Sequence, residues 1–290
     1  MILNYGSINA DHVYAVDHFV RPGETIASAS LTTTLGGKGA NQSIALARAG
    51  TTVAHAGSIG RDGEWLRNIL AKESIDLRFL GTSECPSGHA VIQVSAKGEN
   101  AIILFPGANF DNTPAAMDTA LAAADGVVLL QNEVNDIPLL MQKAAAIERR
   151  IWFNAAPYTP AVRDYPLHLV DTLIVNETEA EGISGVSGPD AVIEGLLSRY
   201  EGLNVLLTLG ADGAIYANRQ GRTAVSAERV PVVDTTAAGD TFIGYFLAAS
   251  ESGASVSECL SRATIAAGIS VGRKGASDSI PFKREVDALL

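Results

Sequence analysis

From Pro114 to Leu209 the chain alternates short, wholly apolar runs with longer stretches of helical periodicity, and this alternation restricts the possible folds more than any other feature. It predicts helices over Pro114–Ala123, Ile137–Arg150, Glu177–Ile183 and Asp190–Tyr200, and strands over Val127–Leu130, Ile151–Asn154, Thr172–Val175 and Val205–Leu209. A strand that is apolar on both faces must be covered on both faces. Interleaving such strands with helices is the pattern of a parallel sheet held between two helical layers. Ile2–Ile8 reads as a further strand of this kind, ending at Asn9-Ala10-Asp11. Thr52–Ala56 reads as a strand and Gly63–Lys72 as a helix, with Gly57, Gly60 and Gly63 as turn glycines. Ile215–Asn218 and Thr223–Ala227 look like antiparallel edge strands, and Ser255–Val271 like a helix rich in small residues. The expected fold class is α/β, with a central, mostly parallel sheet covered by helices on both faces.

Two separated segments depart from that pattern. His12–Val20 and Ile26–Leu35 alternate polar and apolar residues around a Pro22-Gly23 turn, and His89–Ala96 and Ala101–Phe105 do the same around Lys97-Gly98-Glu99-Asn100. Half-buried strands do not belong in a doubly covered sheet, so these four are expected to form a small β-sheet of their own. The division is then 1–11, 36–86 and 107–290 for the α/β body, and 12–35 and 87–106 for the small sheet. Its apolar face would be left in water, which is the physical reason to expect a homodimer formed through it.

The residues that carry chemistry cluster at predicted helix starts and strand ends. Asp234-Thr235-Thr236-Ala237-Ala238-Gly239-Asp240-Thr241 runs straight into Phe242–Leu247, whose apolar residues have helical spacing. Ala237, Ala238 and Gly239 would let a ligand reach bare backbone at the helix entrance, where unpaired N–H groups and the positive end of the dipole favour an anion. Asp240 follows at once, which suits a base that guides a hydroxyl into phosphoryl transfer. By itself the stretch is equally an Asp-capped helix with small residues for packing. A second stretch, Gly36-Gly37-Lys38-Gly39-Ala40-Asn41-Gln42, precedes a helix expected over Ser43–Ala49 and closed by Gly50. Its glycines fall at the wrong offsets for a P-loop or a dinucleotide fingerprint. Asn9 and Asp11 end a strand, where open α/β sheets gather ligands, and could grip vicinal hydroxyls; an Asx turn accounts for them as well. Gln131-Asn132-Glu133 and Asn176-Glu177-Thr178-Glu179 end two more strands, and Glu179 also reads as a first-turn acid favoured by the helix dipole.

Taken together, the Gly36–Gln42 and Asp234–Phe242 elements resemble the two signatures of the ribokinase (PfkB) family of carbohydrate kinases. The resemblance extends to Gly6-Ser7-Ile8-Asn9-Ala10-Asp11-His12, Gly98-Glu99-Asn100, Gly107-Ala108-Asn109 and Arg273-Lys274-Gly275-Ala276, and so spans nearly the whole chain. It implies a ribokinase-like body with the small four-stranded sheet as a lid over a sugar site, often shared with a second subunit. The implied activity is that of an ATP-dependent phosphotransferase with an alcohol acceptor, D-ribose being converted to D-ribose 5-phosphate. Asp240 would be the base, Ala237, Ala238 and Gly239 the anion hole, and Lys38 a neutralising charge. Asn9, Asp11, Gly37, Lys38, Gly39, Asn41, Glu133 and Asp240 would hold the sugar. Asn176, Thr208, Gly210, Gly213, Gly239 and Thr264 would hold the nucleotide, Thr264 standing where the family often has His or Asn near adenine. Glu179 would organise magnesium through water. An activating potassium ion would lie between Asp234 and Thr236 on one side and Ser270, Arg273, Gly275 and Ser279 on the other, provided the Arg273 charge points away.

Composition bounds the rest. A formal net charge of −11 argues against a nucleic-acid partner, which would want a basic face. Cys85 and Cys259 suggest neither a disulfide framework nor a zinc site, and His18, His55, His89 and His168 show no triad or metal spacing. The N-terminal residues do not read as a signal peptide and no apolar run reads as a membrane span, so a cytoplasmic enzyme is expected. The rival readings are another kinase of the same family acting on fructose, deoxyribose or a nucleoside, and a sugar-binding protein that keeps the fold without catalysis. The aromatic content of 6% speaks against a nucleoside site, and the intact Asp240, Lys38 and Asn176–Glu179 set speaks against the non-catalytic protein. A dinucleotide dehydrogenase is disfavoured because no G-x-G-x-x-G follows the first strand.

Overall fold

Each apolar run buries both of its faces, as the alternation requires. In the computed structural model, which describes residues 1–290, the strands are β1 (Ile2–Tyr5), β2 (Asn9–Ala15), β3 (Ser30–Gly36), β4 (Val53–Gly60), β5 (Asp76–Ser83), β6 (Gly88–Val94), β7 (Asn100–Phe105), β8 (Val127–Gln131), β9 (Arg150–Asn154), β10 (Thr172–Asn176), β11 (Asn204–Thr208), β12 (Ala214–Asn218) and β13 (Gly221–Val225). The helices are α1 (Lys38–Arg48), α2 (Glu64–Lys72), α3 (Pro114–Ala123), α4 (Ile137–Ala146), α5 (Glu177–Ser184), α6 (Pro189–Arg199), α7 (Ala238–Glu251), α8 (Val256–Val271) and α9 (Lys283–Asp287). Nine strands form one sheet in the order β13-β12-β11-β10-β9-β8-β1-β4-β5. It is parallel from β11 to β5, and β12 and β13 run antiparallel at one edge.

Alternate residues of the strands feed two cores. Leu3 and Tyr5 of β1 pack with buried residues of α3 to α6, whereas Ile2 packs with buried residues of α1, α2, α7 and α8. The chain begins at β1, moves to β4 and β5 on one side, and then returns to lay β8 on the other. The carboxyl ends of β1 and β8 therefore flank a topological switch point, the place where a doubly wound sheet leaves a crevice for a ligand.

The second sheet has four strands in the order β3-β2-β6-β7. β2 pairs antiparallel with β3 and parallel with β6, Asn9 lying opposite Gly36 on one side and Gly88 on the other. Along β7 the residues Ile102, Ile103, Leu104 and Phe105 are all exposed, as is Leu31 of β3.

Several boundaries differ from the expectation, each for a local reason. β1 stops at Tyr5 because Gly6 and Ser7 are pressed against the backbone of Gly39, so Asn9 and Asp11 ride on the small sheet instead of ending β1. Helix α1 starts at Lys38, not Ser43, with Gly37 as its N-cap at φ 91. Gly57 and Gly60 are strand residues of β4, and a Cβ at Gly57 would meet the Gly6 carbonyl at 2.6 Å. Helix α4 ends at Ala146, since Glu148 at φ 58 turns the chain into β9. β5 is an edge strand with Asp76 and Arg78 paired on its surface, so it lacks the apolar run that marks the others.

Candidate active site

The head of α7 has the open backbone that its small residues predict. Ala237 is the N-cap in the left-handed conformation, with φ 60 and ψ 9, and makes no side-chain capping bond. The N–H of Thr241 donates to the Ala237 carbonyl at 2.8 Å and that of Ala238 to Thr235 at 3.3 Å, while the N–H groups of Gly239 and Asp240 find no backbone partner. A Cβ at Gly239 would meet nothing within 4 Å. The positive end of this 14-residue helix therefore carries two N–H groups without a backbone partner, and Gly239 leaves the space beside it open. Asp240 is not the helix cap; its carboxylate is turned towards α1.

There, both of its oxygens are gripped. Asn41 Nδ2 donates to Oδ2 at 3.0 Å and Gln42 Nε2 donates to Oδ1 at 2.8 Å. Close packing of the two helices makes this possible, since a Cβ at Gly244 would collide with Ala45. Burial pushes the Asp240 carboxyl above its ordinary range, against the opposing pull of the Lys38 charge and the two amide donors. Asn41 Oδ1 is buried with no hydrogen-bond partner.

Residues from β2, α1 and the end of β8 meet across the switch point. Glu133 Oε2 accepts from Ser7 Oγ at 2.5 Å and from the Lys38 backbone N–H at 3.1 Å, and its Oε1 lies 3.5 Å from Lys38 Nζ. Ser7 and Glu133 thus satisfy the first turn of α1, together with the bond from Ala40 N–H to the Ser7 carbonyl at 2.9 Å. Burial disfavours the Lys38 ammonium, yet Glu133, Asp240 and Glu179 outweigh it and hold its pKa above the usual value. Asp11 points into the same pocket. Burial first and the Glu133 charge second push its carboxyl up to about 7, with Lys38 opposing. Gly36 leaves the space that the Asp11 carboxylate fills. Asn9 is buried, its Oδ1 accepting from Asn109 Nδ2 at 2.7 Å, and Gly39 is buried against Gly6 and Ser7.

On the other side of the α7 head lies a cleft of about 490 Å³. Thr208, Gly210, Gly213, Gly239 and Thr264 all line it, so five of the six residues expected to hold a nucleotide are brought together. Thr264 is 6% exposed and its hydroxyl has no partner. The wall opposite comes from the 227–232 loop and from Phe242. Glu228, Arg229 and Val230 were not expected there, because nothing in their local pattern marks a ligand wall. Asn176 and Glu179 form a capping box at the start of α5: Asn176 Oδ1 accepts from the Glu179 N–H, and Glu179 Oε2 from the Asn176 N–H, each at 2.9 Å. The second Glu179 oxygen remains free, and burial raises its pKa.

Of the residues expected around a monovalent cation, Asp234, Thr236 and Gly275 are tied together. Asp234 Oδ1 accepts from the N–H and hydroxyl of Thr236 at 2.9 and 2.6 Å, and Oδ2 from the Gly275 N–H at 3.0 Å. Burial raises the Asp234 pKa, but these donors outweigh it and hold the group ionised. Arg273 is turned away and paired with Glu285. Ser270 Oγ is fully buried without a partner, and Ser279 Oγ donates to the Ala276 carbonyl at 2.7 Å. Among residues not expected at the site, Ser7 and Gln42 stand out; both lie in stretches whose glycines drew attention first.

Comparison with known proteins adds the following. The model of the pfkB family carbohydrate kinases matches residues 1–283. The ribokinase of Haemophilus influenzae is 38% identical over 292 residues, covering 97% of this chain and 95% of its own. The ribokinase of Bacillus subtilis is 33% identical over 292 residues, with 98% and 97% covered. Among solved structures, ribokinase from Cryptococcus neoformans in complex with ADP superposes with a TM-score of 0.88 at 34% identity, covering 100% of this chain and 99% of that one. Ribokinase of Arabidopsis thaliana complexed with ribose and ATP gives a TM-score of 0.88 at 28% identity, with 99% and 97% covered.

Proposed function

Because the chain belongs to the PfkB family of carbohydrate kinases, we propose that it transfers the γ-phosphoryl group of ATP to D-ribose, giving D-ribose 5-phosphate and ADP. The observation that carries this reading is the position of Asp240 at the head of α7. Its carboxylate faces the Lys38, Asn41 and Asp11 side, while the cleft opens on the other side at Gly239. In the reaction the 5-hydroxyl oxygen bonds to the γ-phosphorus as the bond from that phosphorus to the β,γ-bridging oxygen breaks, and the hydroxyl proton passes to Asp240. The free N–H groups at 239 and 240, with Ala237 and Ala238 keeping the approach bare, stabilise charge developing on the phosphoryl oxygens, and Lys38 adds its own charge.

Asn9, Asp11, Gly37, Gly39, Asn41 and Glu133 orient the sugar. The unpartnered Asn41 Oδ1 is the acceptor a sugar hydroxyl would find first. Thr208, Gly210, Gly213 and Thr264 line the nucleotide cleft, and Asn176 stands at the start of α5 to complete it. Magnesium, when bound, would neutralise phosphate charge; the free oxygen of Glu179 suits a contact made through its water shell. A potassium ion fits between Asp234, Thr236, Ser270, Gly275 and Ser279, where the orphaned Ser270 hydroxyl needs a partner and Arg273 contributes only its backbone. The lid, residues 12–35 and 87–106, makes a homodimer through its exposed apolar strands. No helix is long and apolar enough to cross a membrane, and a reaction that draws on ATP is expected in the cytoplasm. The test is release of ADP on adding single sugars from a panel of pentoses, hexoses and nucleosides. Ribose should lead the panel, and ADP release indifferent to every sugar would reject the reading.

A further inference from the structure

Beneath Asp240 runs a chain of buried side-chain amides that the phosphoryl-transfer step does not itself touch. Asn4 sits on β1, Gln131 at the end of β8 and Gln42 on α1, and all three are wholly inaccessible. Gln131 Nε2 donates to Asn4 Oδ1 at 2.8 Å and to Gln42 Oε1 at 2.7 Å. Asn4 Nδ2 donates in turn to the Gly39 carbonyl and to Ser43 Oγ, both at 2.8 Å. Gln42 Nε2 reaches Asp240 Oδ1 at 2.8 Å and Asn154 Oδ1 at 3.3 Å.

The order of donors leaves one arrangement. An ionised carboxylate can only accept, so Gln42 must turn its NH2 to Asp240 and its carbonyl to Gln131. Gln131 must answer with its own NH2, which it shares with Asn4. Flipping any member would set donor against donor or oxygen against oxygen. Three buried amides are costly unless nearly all their groups are paired, and here Gln131 Oε1 alone is left without a partner; volume alone could be supplied by Leu or Met. The backbone makes room for the chain: a side chain at Gly6 would strike Gln131 Oε1.

From this geometry we propose that Gln42 is a positioning residue which, braced by Gln131 and Asn4, holds the Asp240 carboxylate in the one orientation that can receive the sugar proton. The proposal rests on Asp240 being the base. A second effect follows from the same bond. Burial favours the protonated form of Asp240, and the amides of Gln42 and Asn41 oppose it. The charges that face it are Lys38, which favours the carboxylate, and Glu133, which disfavours it; Asp11 and Glu179 act on the same lysine. Loss of the Gln42 donor should therefore lower turnover and also carry the protonation of Asp240 to higher pH.

The experiment compares Gln42→Met, Gln131→Met and Asp240→Asn by kcat and KM from pH 5 to 9, with circular dichroism as a check of folding. Gln42→Met should lower kcat roughly tenfold at neutral pH, the scale of one hydrogen bond to a charged group, with both KM values within about threefold of the parent. Its acidic limb of kcat should move up by roughly half a unit to one unit. Gln131→Met touches neither Asp240 nor the ligand pockets and should move the limb in the same direction by less. A kcat lowered evenly at all pH values, or limbs left in place in both folded variants, would overturn the positioning role. Near-normal turnover in Asp240→Asn would instead remove the base itself, and the proposal with it. Should Gln42→Met not fold, the limb of Gln131→Met decides alone.

Discussion

In the proposed reaction two carboxylates share the charges of Lys38 and Glu133, and both work as anions. As the proposed base, Asp240 must be ionised to take a proton; Lys38, Gln42 and Asn41 favour that state against the burial that raises its pKa. Replacing it with Asn keeps the shape and removes the base, so kcat should fall by at least about a hundredfold while the KM for ribose changes little; near-normal turnover would dismiss Asp240 from the mechanism. Asp11 has Glu133 as its neighbour and few donors, and burial with that charge lifts its pKa from the ordinary 3.8 to about 7. Below that pH it is mostly protonated and no longer a pure acceptor for sugar hydroxyls. The KM for ribose should therefore rise as the pH falls from about 8 to 6, with the KM for ATP nearly level over the same range. An Asp11→Asn variant should lose that slope, and keeping it would assign the slope to another group. For stability the linkage runs the other way. Between pH 4 and 7 the folded protein binds more protons at Asp11 than the unfolded chain does, so ionising it on raising the pH costs folding free energy.

At the scale of elements, the site is a meeting of helix heads, and what the sequence revealed follows from that. The strands β8 to β11 and the helices beside them are apolar enough to be read directly, and the small residues before Phe242 mark the bare head of α7. Gln42 was less legible. Three residues past Gly39, at the end of the glycine-rich stretch, it has no spacing that announces a partner, and only the close approach of α7 at Gly244 brings Asp240 to it. The start of α1 was misjudged for a similar reason. Its first turn is satisfied by Ser7 and Glu133, groups distant in sequence, and not by a capping residue of its own. Asp234, at the start of the loop into α7, accepts from the Gly275 N–H in the loop after α8 and donates its own N–H to the Val271 carbonyl at the end of α8. A cation seated between the two loops would stiffen the approach to Gly239 and so preform the anion hole. Rates in potassium or caesium chloride should then exceed those in sodium chloride at equal ionic strength. Equal rates in all three salts would exclude an activating ion.

For the whole molecule, the small sheet is the part least complete by itself. Its edge strand β7 leaves Ile102 at 57% and Ile103 at 67% exposure, an unusual run of bare aliphatic surface beside an open row of backbone groups. Sedimentation should show a dimer that dissociates when Ile103 is changed to Lys. A monomer at every concentration in the parent protein would contradict this. The way the sheet is joined has a kinetic consequence of its own. Its central contact sets β2 beside β6 in parallel, Asn9 opposite Gly88, strands that the chain delivers far apart. Closing so long a loop is slow and yields few contacts until it is finished, whereas the body has buried strands on which to nucleate. The sheet should form late and open early. Amide exchange along β2 and β6 should be faster than along β1 and β8, which lie wholly within the core, and saturating ribose should slow it. Asp11 rides on this sheet, so an opening of the sheet ahead of the body would carry its carboxylate away from Glu133 and Lys38.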